Sequence, residues 1–273
     1  MAAGYHAPSG QRTQRPCKAP CKARLTWDAG ACYKGWGGIA RRDVHHLMPM
    51  PRENRAEILD SEDTPEPLVQ RAYRDIARIH GWLGETGYMA RAIRKNPLPV
   101  RQILDVGCGT GLVLEDIGRR LGVEAVGVDV RPHPSIAAPV PIFQADAVSD
   151  SLPRADVAFC MHLVHHLSEE DSIRLIQNVG RFCPRFIILD LVRHPLPLAL
   201  FRMFVAPFIC PIDVEDGKLS IRRAYTPAEM SGIATRALSG TGSRFRHSVA
   251  PLYTRQVIDI SYSPSSQSQW AGR

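Results

Sequence analysis

Short apolar runs closed by an acid or a turn punctuate the middle of this chain. They are Ile103-Leu104-Asp105-Val106, Glu124–Asp129, Val140–Asp146, Ala155–Cys160 and Arg185–Asp190, with a last run near Gln256–Ile260. None alternates cleanly between apolar and polar positions, which is the pattern of parallel strands covered on both faces. Helical stretches lie between several of them, so strand and helix alternate and a doubly wound α/β sheet is expected. Upstream, Leu68, Ala72, Ile76, Ile79, Trp82 and Leu83 recur at helical spacing. Thr64 before Pro65 reads as a helix start, and Gly84 or Gly87 as its end. Thr226-Pro-Ala-Glu229 has the form of a capping box with proline in the first turn.

The turn after the first strand carries the chemistry. Asp105-Val106-Gly107-Cys108-Gly109-Thr110-Gly111 runs into Leu112-Val113-Leu114-Glu115, a helix start. Glycine permits positive φ and lets a ligand approach the backbone without meeting a Cβ. The helix start adds free N–H groups and partial positive charge. The loop is therefore a cradle for a nucleotide-like ligand. Its G-x-G-x-G spacing departs from the G-x-G-x-x-G that receives a dinucleotide pyrophosphate, since Leu112 stands where the third glycine would fall. Asp129 closes the second strand, where one carboxylate can accept from both hydroxyls of a ribose.

This D-x-G-x-G-x-G loop, with acids at the ends of successive strands, resembles the class I S-adenosylmethionine-dependent methyltransferases. The resemblance is carried by residues 103–190. It implies a Rossmann-like, mostly parallel sheet and S-adenosylmethionine as cofactor. Cofactor contacts are implied at Asp105, Gly107, Cys108, Gly109, Thr110, Gly111, Asp129, Val130, Asp146, Ala147, His162 and Leu163. Asp146 is implied to meet the adenine amino group and Ala147 to make a backbone contact beside it. The later segments Asp190-Leu191-Val192-Arg193-His194-Pro195 and Asp216–Glu229 are similar to a bacterial subgroup of small-molecule, quinone- and polyketide-type enzymes, as in secondary metabolism.

Residues 48–100 then form an N-terminal helical cap, within which Tyr73, Arg78 and Trp82 are candidates for ligand contact. Residues 101–262 form the cofactor-binding domain. Residues 191–224 interrupt the strand–helix alternation and are expected to shape the acceptor pocket, with Arg193, His194 and Arg222 as substrate-binding candidates. Phe201–Ile212 is too short and proline-broken to span a membrane and reads as a wall over a greasy pocket, with a weak membrane-surface contact as the other possibility.

Charge changes the picture only by its location. Residues 1–47 hold eight basic and two acidic residues, +6 of the total +7. The basic excess thus lies outside the catalytic fold and gives that domain no nucleic-acid signature. The first 47 residues lack helical or strand periodicity and are expected to be a disordered basic tail, or to precede a natural start at Met48 or Met50. A disordered tail is also expected over 263–273. Cys17, Cys21 and Cys32 lack zinc spacing. Cys108, Cys160, Cys183 and Cys210 fall in apolar segments and read as reduced thiols of a cytoplasmic protein.

On the acceptor side, His162, His165 and His166 follow the fourth strand. An imidazole near pKa 6.5 suits removal of a proton from a phenol-like hydroxyl. His165 is the first candidate base and His166 the second, though a His-His pair at a helix start also serves simply to fasten a loop. No metal is expected. The reading is methyl transfer to a small, aromatic or quinone/polyketide-like acceptor, with O-methylation favoured over C-methylation. The alternatives are an RNA or protein methyltransferase, against which stands Met161-His162-Leu163-Val164 in place of an N-P-P-[YF] signature, or a non-catalytic S-adenosylmethionine-binding protein.

Overall fold

The computed structural model describes residues 50–61, 64–132 and 140–264. The expectations for residues 1–47, and for 265–273 of the C-terminal segment, lie outside the described residues. Five parallel strands come first: β1 (Gln102–Val106), β2 (Glu124–Asp129), β3 (Ile142–Gln144), β4 (Val157–Met161) and β5 (Arg185–Asp190). They are joined by a hairpin pair, β6 (Arg244–Val249) and β7 (Gln256–Ser261). The sheet order is β3-β2-β1-β4-β5-β7-β6, with β7 antiparallel to both neighbours. This is the expected doubly wound α/β architecture. The third strand is shorter than the run Val140–Asp146 suggested. β6 escaped the sequence reading because its exposed edge carries Arg244, Arg246 and His247 rather than an apolar run.

Two apolar layers hold the sheet. Leu104, Ala158, Phe186, Ile188 and Ile258 pack on one face against α4 (Glu169–Phe182) and α7 (Pro227–Leu238). Their chain neighbours Ile103, Val157, Phe159, Ile187 and Val257 point the other way, as a period of two requires. There they meet Met89, Ala90 and Ile93 of α2 (Glu85–Arg94) and Leu114 and Ile117 of α3 (Leu112–Leu121). Cys160, Cys183 and Cys210 are buried and Cys108 half-buried, all as free thiols. The capping box of α7 forms as read: Thr226 Oγ1 accepts from Glu229 N, and Glu229 accepts from Thr226 N.

The helical region before the sheet differs in detail. α1 spans Glu66–Trp82 and starts at Pro65 without a side-chain cap, because Thr64 Oγ1 donates instead to Ile58 O at 2.7 Å. Its buried positions are Val69, Ala72, Asp75 and His80, while Leu68, Trp82 and Leu83 are exposed. The buried stripe is thus rotated from the one the apolar residues marked, and it carries two ionisable groups. Gly84, at φ +68°, separates α1 from α2. The segment 191–224 is helical, with α5 (Pro195–Phe204) and α6 (Pro211–Arg223) joined by a short 3-10 turn. No helix among the described residues is long and apolar enough to cross a membrane.

Candidate active site

The C-terminal ends of β1, β2 and β4 open onto one cavity of about 690 Å³. The glycine loop forms its floor at one end. Gly107 (φ +73°) and Gly109 (φ +54°) take the left-handed conformation that favours glycine. A Cβ on Gly107 would lie 2.8 Å from Leu163 Cδ1, so space as well as φ demands glycine there. Asp129 Oδ2 accepts from Gly109 N at 2.8 Å and Oδ1 from Arg131 N at 2.9 Å. The carboxylate therefore braces the loop while lining the cavity. Asp105 is buried beside it, and burial together with the Asp129 charge pushes its carboxyl well above the usual aspartate range. The same causes, with Asp105 contributing, push the Cys108 thiol up, so it is no nucleophile.

The opposite end is dense in imidazoles and carboxylates. His162 follows β4 at φ +57°, a conformation rare for residues other than glycine. Its backbone N donates to Leu189 O, and its Nε2 lies 2.9 Å from Glu85 Oε2. His80 Nδ1 lies 2.7 Å from the same oxygen. Burial alone would raise the Glu85 pKa, but the two imidazoles outweigh it and hold the carboxyl below its ordinary value. Burial lowers His80, so it stays neutral and donates from Nδ1.

The second cluster is built around His165. Its backbone N donates to Asp190 Oδ2 at 2.9 Å and its Nδ1 lies 2.7 Å from Asp190 Oδ1. Its Nε2 faces Glu57 Oε1 at 3.6 Å, beyond hydrogen-bond length, and His166 Nε2 lies 3.8 Å from the same oxygen. Burial alone would lower the His165 pKa; Asp190 and Glu57 outweigh it and raise it to about 9. Glu57 sits on the segment 50–61. That segment is fastened by Arg52, which donates to Arg223 O and Leu167 O, and by Ile58 N and Leu59 N, which donate to Asp216.

The residues read from sequence divide clearly. Asp105, Gly107, Cys108, Gly109, Thr110, Asp129, Val130, Asp146, Ala147, His162, Leu163, His165 and His166 all line the cavity, and so does Tyr73. Gly111 lies at its margin as the N-cap of α3. Both Asp146 oxygens already accept locally, from Val148 N and from Ser149 Oγ.

The three basic candidates of 191–224 stand elsewhere. Arg193 is buried, with its donors on Met50 O, Ala224 O and Glu229. His194 caps α5, accepting from Leu196 N, and stacks on Tyr253. Arg222 faces Glu53 at 3.4 Å. What that segment contributes to the cavity is instead Leu191, Phe201, Asp213, Asp216, Ser220 and Ile221. Arg78 and Trp82 also lie off the cavity, the guanidinium over the indole ring at 5.1 Å.

A family model described as a methyltransferase domain matches residues 70–196. The ubiquinone biosynthesis O-methyltransferase of Aeromonas salmonicida (strain A449) is 26% identical over 159 residues, 51% of this chain and 66% of that enzyme's length. Among solved structures, the plantazolicin methyltransferase BpumL in complex with SAH has a TM-score of 0.56 at 14% identity, covering 72% of this chain and 91% of that one. Human N-acetylserotonin methyltransferase in complex with SAM has a TM-score of 0.50 at 15% identity, covering 77% and 64%. These structural likenesses bear on the fold.

The chain carries a methyltransferase domain over residues 70–196.

The two solved structures hold SAH and SAM respectively. In this methyltransferase Glu57, Glu85, His80 and Asp190 join the site without having been marked as site residues in the sequence. Asp190 had a legible signal: it closes the strand beside β4, in register just past Met161↔Leu189, and so faces whatever follows β4. Glu57 and Glu85 had none, since tertiary packing alone brings residues 57 and 85 to residues 162–166.

Proposed function

We propose that this methyltransferase transfers the cofactor's methyl group to a hydroxyl of a small, largely apolar, aromatic acceptor. One observation carries the reading: the cavity that begins at the glycine loop and Asp129 ends in the Glu57–His165–His166 cluster, with apolar walls between. Leu59, Val69, Ile76, Ile79, Phe201 and Ile221 give those walls a surface suited to a ring system. The O-methyltransferase among the relatives agrees with oxygen as the acceptor atom.

In the reaction the acceptor oxygen attacks the methyl carbon, the carbon–sulfur bond breaks, and neutral S-adenosylhomocysteine leaves. Alignment of the two partners can supply about 7–11 kcal/mol in favourable cases. A phenol is mostly protonated at neutral pH, so its proton needs an acceptor. His165 Nε2 is fully occluded, whereas His166 keeps part of its ring open to the cavity. The order of the two candidates therefore reverses. His166 takes the proton, and His165, fixed by Asp190, is a positioning residue behind it. Asp129 holds the ribose hydroxyls while bracing the loop.

The test is turnover to S-adenosylhomocysteine against a library of phenols, quinols and their carbon-nucleophile analogues. His166→Ala should slow the best phenol by about 10²-fold or more and leave cofactor affinity intact. Exclusive methylation at carbon, or no turnover with any small acceptor, refutes the reading.

A further inference from the structure

Three clusters of His, Cys, Asp and Glu among the described residues bring possible metal-ligand atoms within 4.8 Å of one another. They differ in the ligand atoms they offer and in how closely those atoms are engaged with one another. In His80–Glu85–His162 both imidazoles reach one carboxylate oxygen at 2.7 and 2.9 Å, a complete hydrogen-bonded triad. In Asp75–Cys210–Asp213 the Cys210 thiol donates to Asp213 at 3.1 Å and Asp75 pairs with Arg78 at 2.7 Å; Asp213 Oδ1 makes no hydrogen bond among the described residues, but the set offers no imidazole. In Glu57–His165–His166 the separations are 3.6 and 3.8 Å, and His165 Nε2, on a side chain 2% exposed, makes no hydrogen bond among the described residues. A buried polar atom in that state calls for an explanation, and an unseen ion is one of the few.

We propose that Glu57, His165 and His166 bind a divalent transition cation of the zinc class, with a coordination position left open to the acceptor. Metal–ligand bonds of about 2.0–2.2 Å at tetrahedral angles place ligand atoms about 3.4 Å apart. The two gaps to Glu57 Oε1, 3.6 and 3.8 Å, need to close by only a few tenths of an ångström. The surroundings are those of a metal site as well. His165 directs Nδ1 at Asp190 at 2.7 Å, which fixes the ring so that release of the Nε2 proton leaves a lone pair facing the gap. Ser220 Oγ donates to Glu57 Oε1 at 2.8 Å, which orients the carboxylate. Two imidazoles, one carboxylate and an open position make the ligand set of a catalytic rather than a structural site.

Two features oppose the cation. Arg223 Nη1 lies 3.7 Å from Glu57 Oε1, and a proton on His165 Nε2 is the competing occupant of the gap. With His165 neutral, Glu57, Asp190 and Arg223 sum to one negative charge, so a divalent ion does not meet a net positive site. This inference deepens the methyl-transfer reading at one point only. With the cation bound, His166 is a ligand, and the acceptor hydroxyl loses its proton to solvent because coordination acidifies it.

The experiment is a titration of the chelator-stripped full chain with Co²⁺, followed by visible ligand-field bands, with Zn²⁺ as competitor. One saturable site per chain is expected, displaced by Zn²⁺. Asp190→Asn, one step removed from the ion, should weaken it by about 10–100-fold, and Glu57→Gln by more. Glu85→Gln should leave the affinity unchanged. A cooperative thermal transition by circular dichroism establishes that each variant is folded. No saturable site overturns the proposal. So does a site that survives Glu57→Gln, which would belong to other residues such as Cys17, Cys21 and Cys32, and so does a site lost in Glu85→Gln instead. The titration needs no acceptor, so failure of the cation site and failure of the methyl-transfer reading are separate results.

Discussion

Replacing Asp129 separates a loop brace from a ribose ligand. An ionised carboxylate has about four acceptor positions. Two are used, by Gly109 N at 2.8 Å and Arg131 N at 2.9 Å. The remaining pair matches the two hydroxyls of a ribose. A hydrogen bond to a charged group contributes about 1.5–3 kcal/mol, and 1.4 kcal/mol is tenfold in affinity. Asp129→Ala should therefore raise the dissociation constant of S-adenosylhomocysteine by about 10- to 150-fold through one such bond, and by more if both hydroxyls engage. It should also lower Tm, because Gly109 N loses its partner. Asp129→Asn is the sharper variant. Its single amide oxygen cannot serve two backbone N–H groups and two hydroxyls, so it should bind at least about tenfold more weakly than the wild type. Calorimetry on the full chain reads the affinity, and differential scanning reads Tm. If Asp129→Ala lowers Tm while affinity stays within about twofold, less than the loss of one such bond, Asp129 is a brace alone and the ribose is held elsewhere. If Asp129→Asn binds like the wild type, the charge has no part in holding the cofactor.

Asp190 and Glu57 raise the pKa of His165 from its ordinary 6.5 to about 9. A raised pKa stabilises the folded state fully below the unfolded value and ceases to do so as pH rises through the folded one. Tm should thus fall between about pH 6.5 and 9, more steeply in the wild type than in His165→Gln, and parallel curves would remove His165 from the cause. Gly107→Ala should destabilise by at least about 1–2 kcal/mol from its positive φ alone. Adding Leu163→Ala should relieve only the 2.8 Å contact, so full recovery of stability in the double variant would show that φ does not matter there. Arg193→Met should cost about 1–3 kcal/mol by leaving buried carbonyls unpaired, with the acceptor KM unchanged; a stable protein with a raised KM would return Arg193 to the acceptor site.

The sheet was legible because its signals are local. Each strand of the parallel set is a run of a few apolar residues ended by an acid, and the glycine loop compresses a turn, a close approach and a helix start into seven positions. The residues expected around the glycine loop could be listed one by one for the same reason, and all but Gly111 line the cavity. The opposite end of the cavity was only half legible. Arginines in a segment near a pocket suggest anion or substrate contacts, but Arg193 spends its donors on Met50 O, Ala224 O and Glu229. An arginine with several backbone carbonyls in reach is consumed by them, and nothing in its sequence neighbourhood announces the carbonyls. α1 misled for a related reason. Its apolar residues mark a stripe, but the cavity draws His80 inward to Glu85 and leaves Trp82 exposed. A helix that lines a site need not bury its most apolar face.

The stretch Met161–His166 shows how one short segment serves two different carboxylates. A regular strand continued past Met161 would alternate its side chains between the faces of the sheet. The positive φ at His162 breaks that alternation. It directs His162 to Glu85 at the start of α2, while the short helical turn Val164–His166 carries the next two imidazoles to Glu57 and Asp190. The backbone cost of such a conformation, of order 1–3 kcal/mol, is offset by the Leu189 O bond to His162 N and by the buried pairing with Glu85. The two clusters then divide the chemistry. The His80–Glu85–His162 triad is internally satisfied and ties the helices before the sheet to the end of β4. The Glu57–His165–His166 group retains a gap and faces the cavity. Releasing the first cluster should loosen the cap over the cavity, whereas releasing the second should alter the fate of the acceptor's proton. Glu85→Gln and Glu57→Gln therefore belong to different experiments, although the two carboxylates reach imidazoles only a few residues apart.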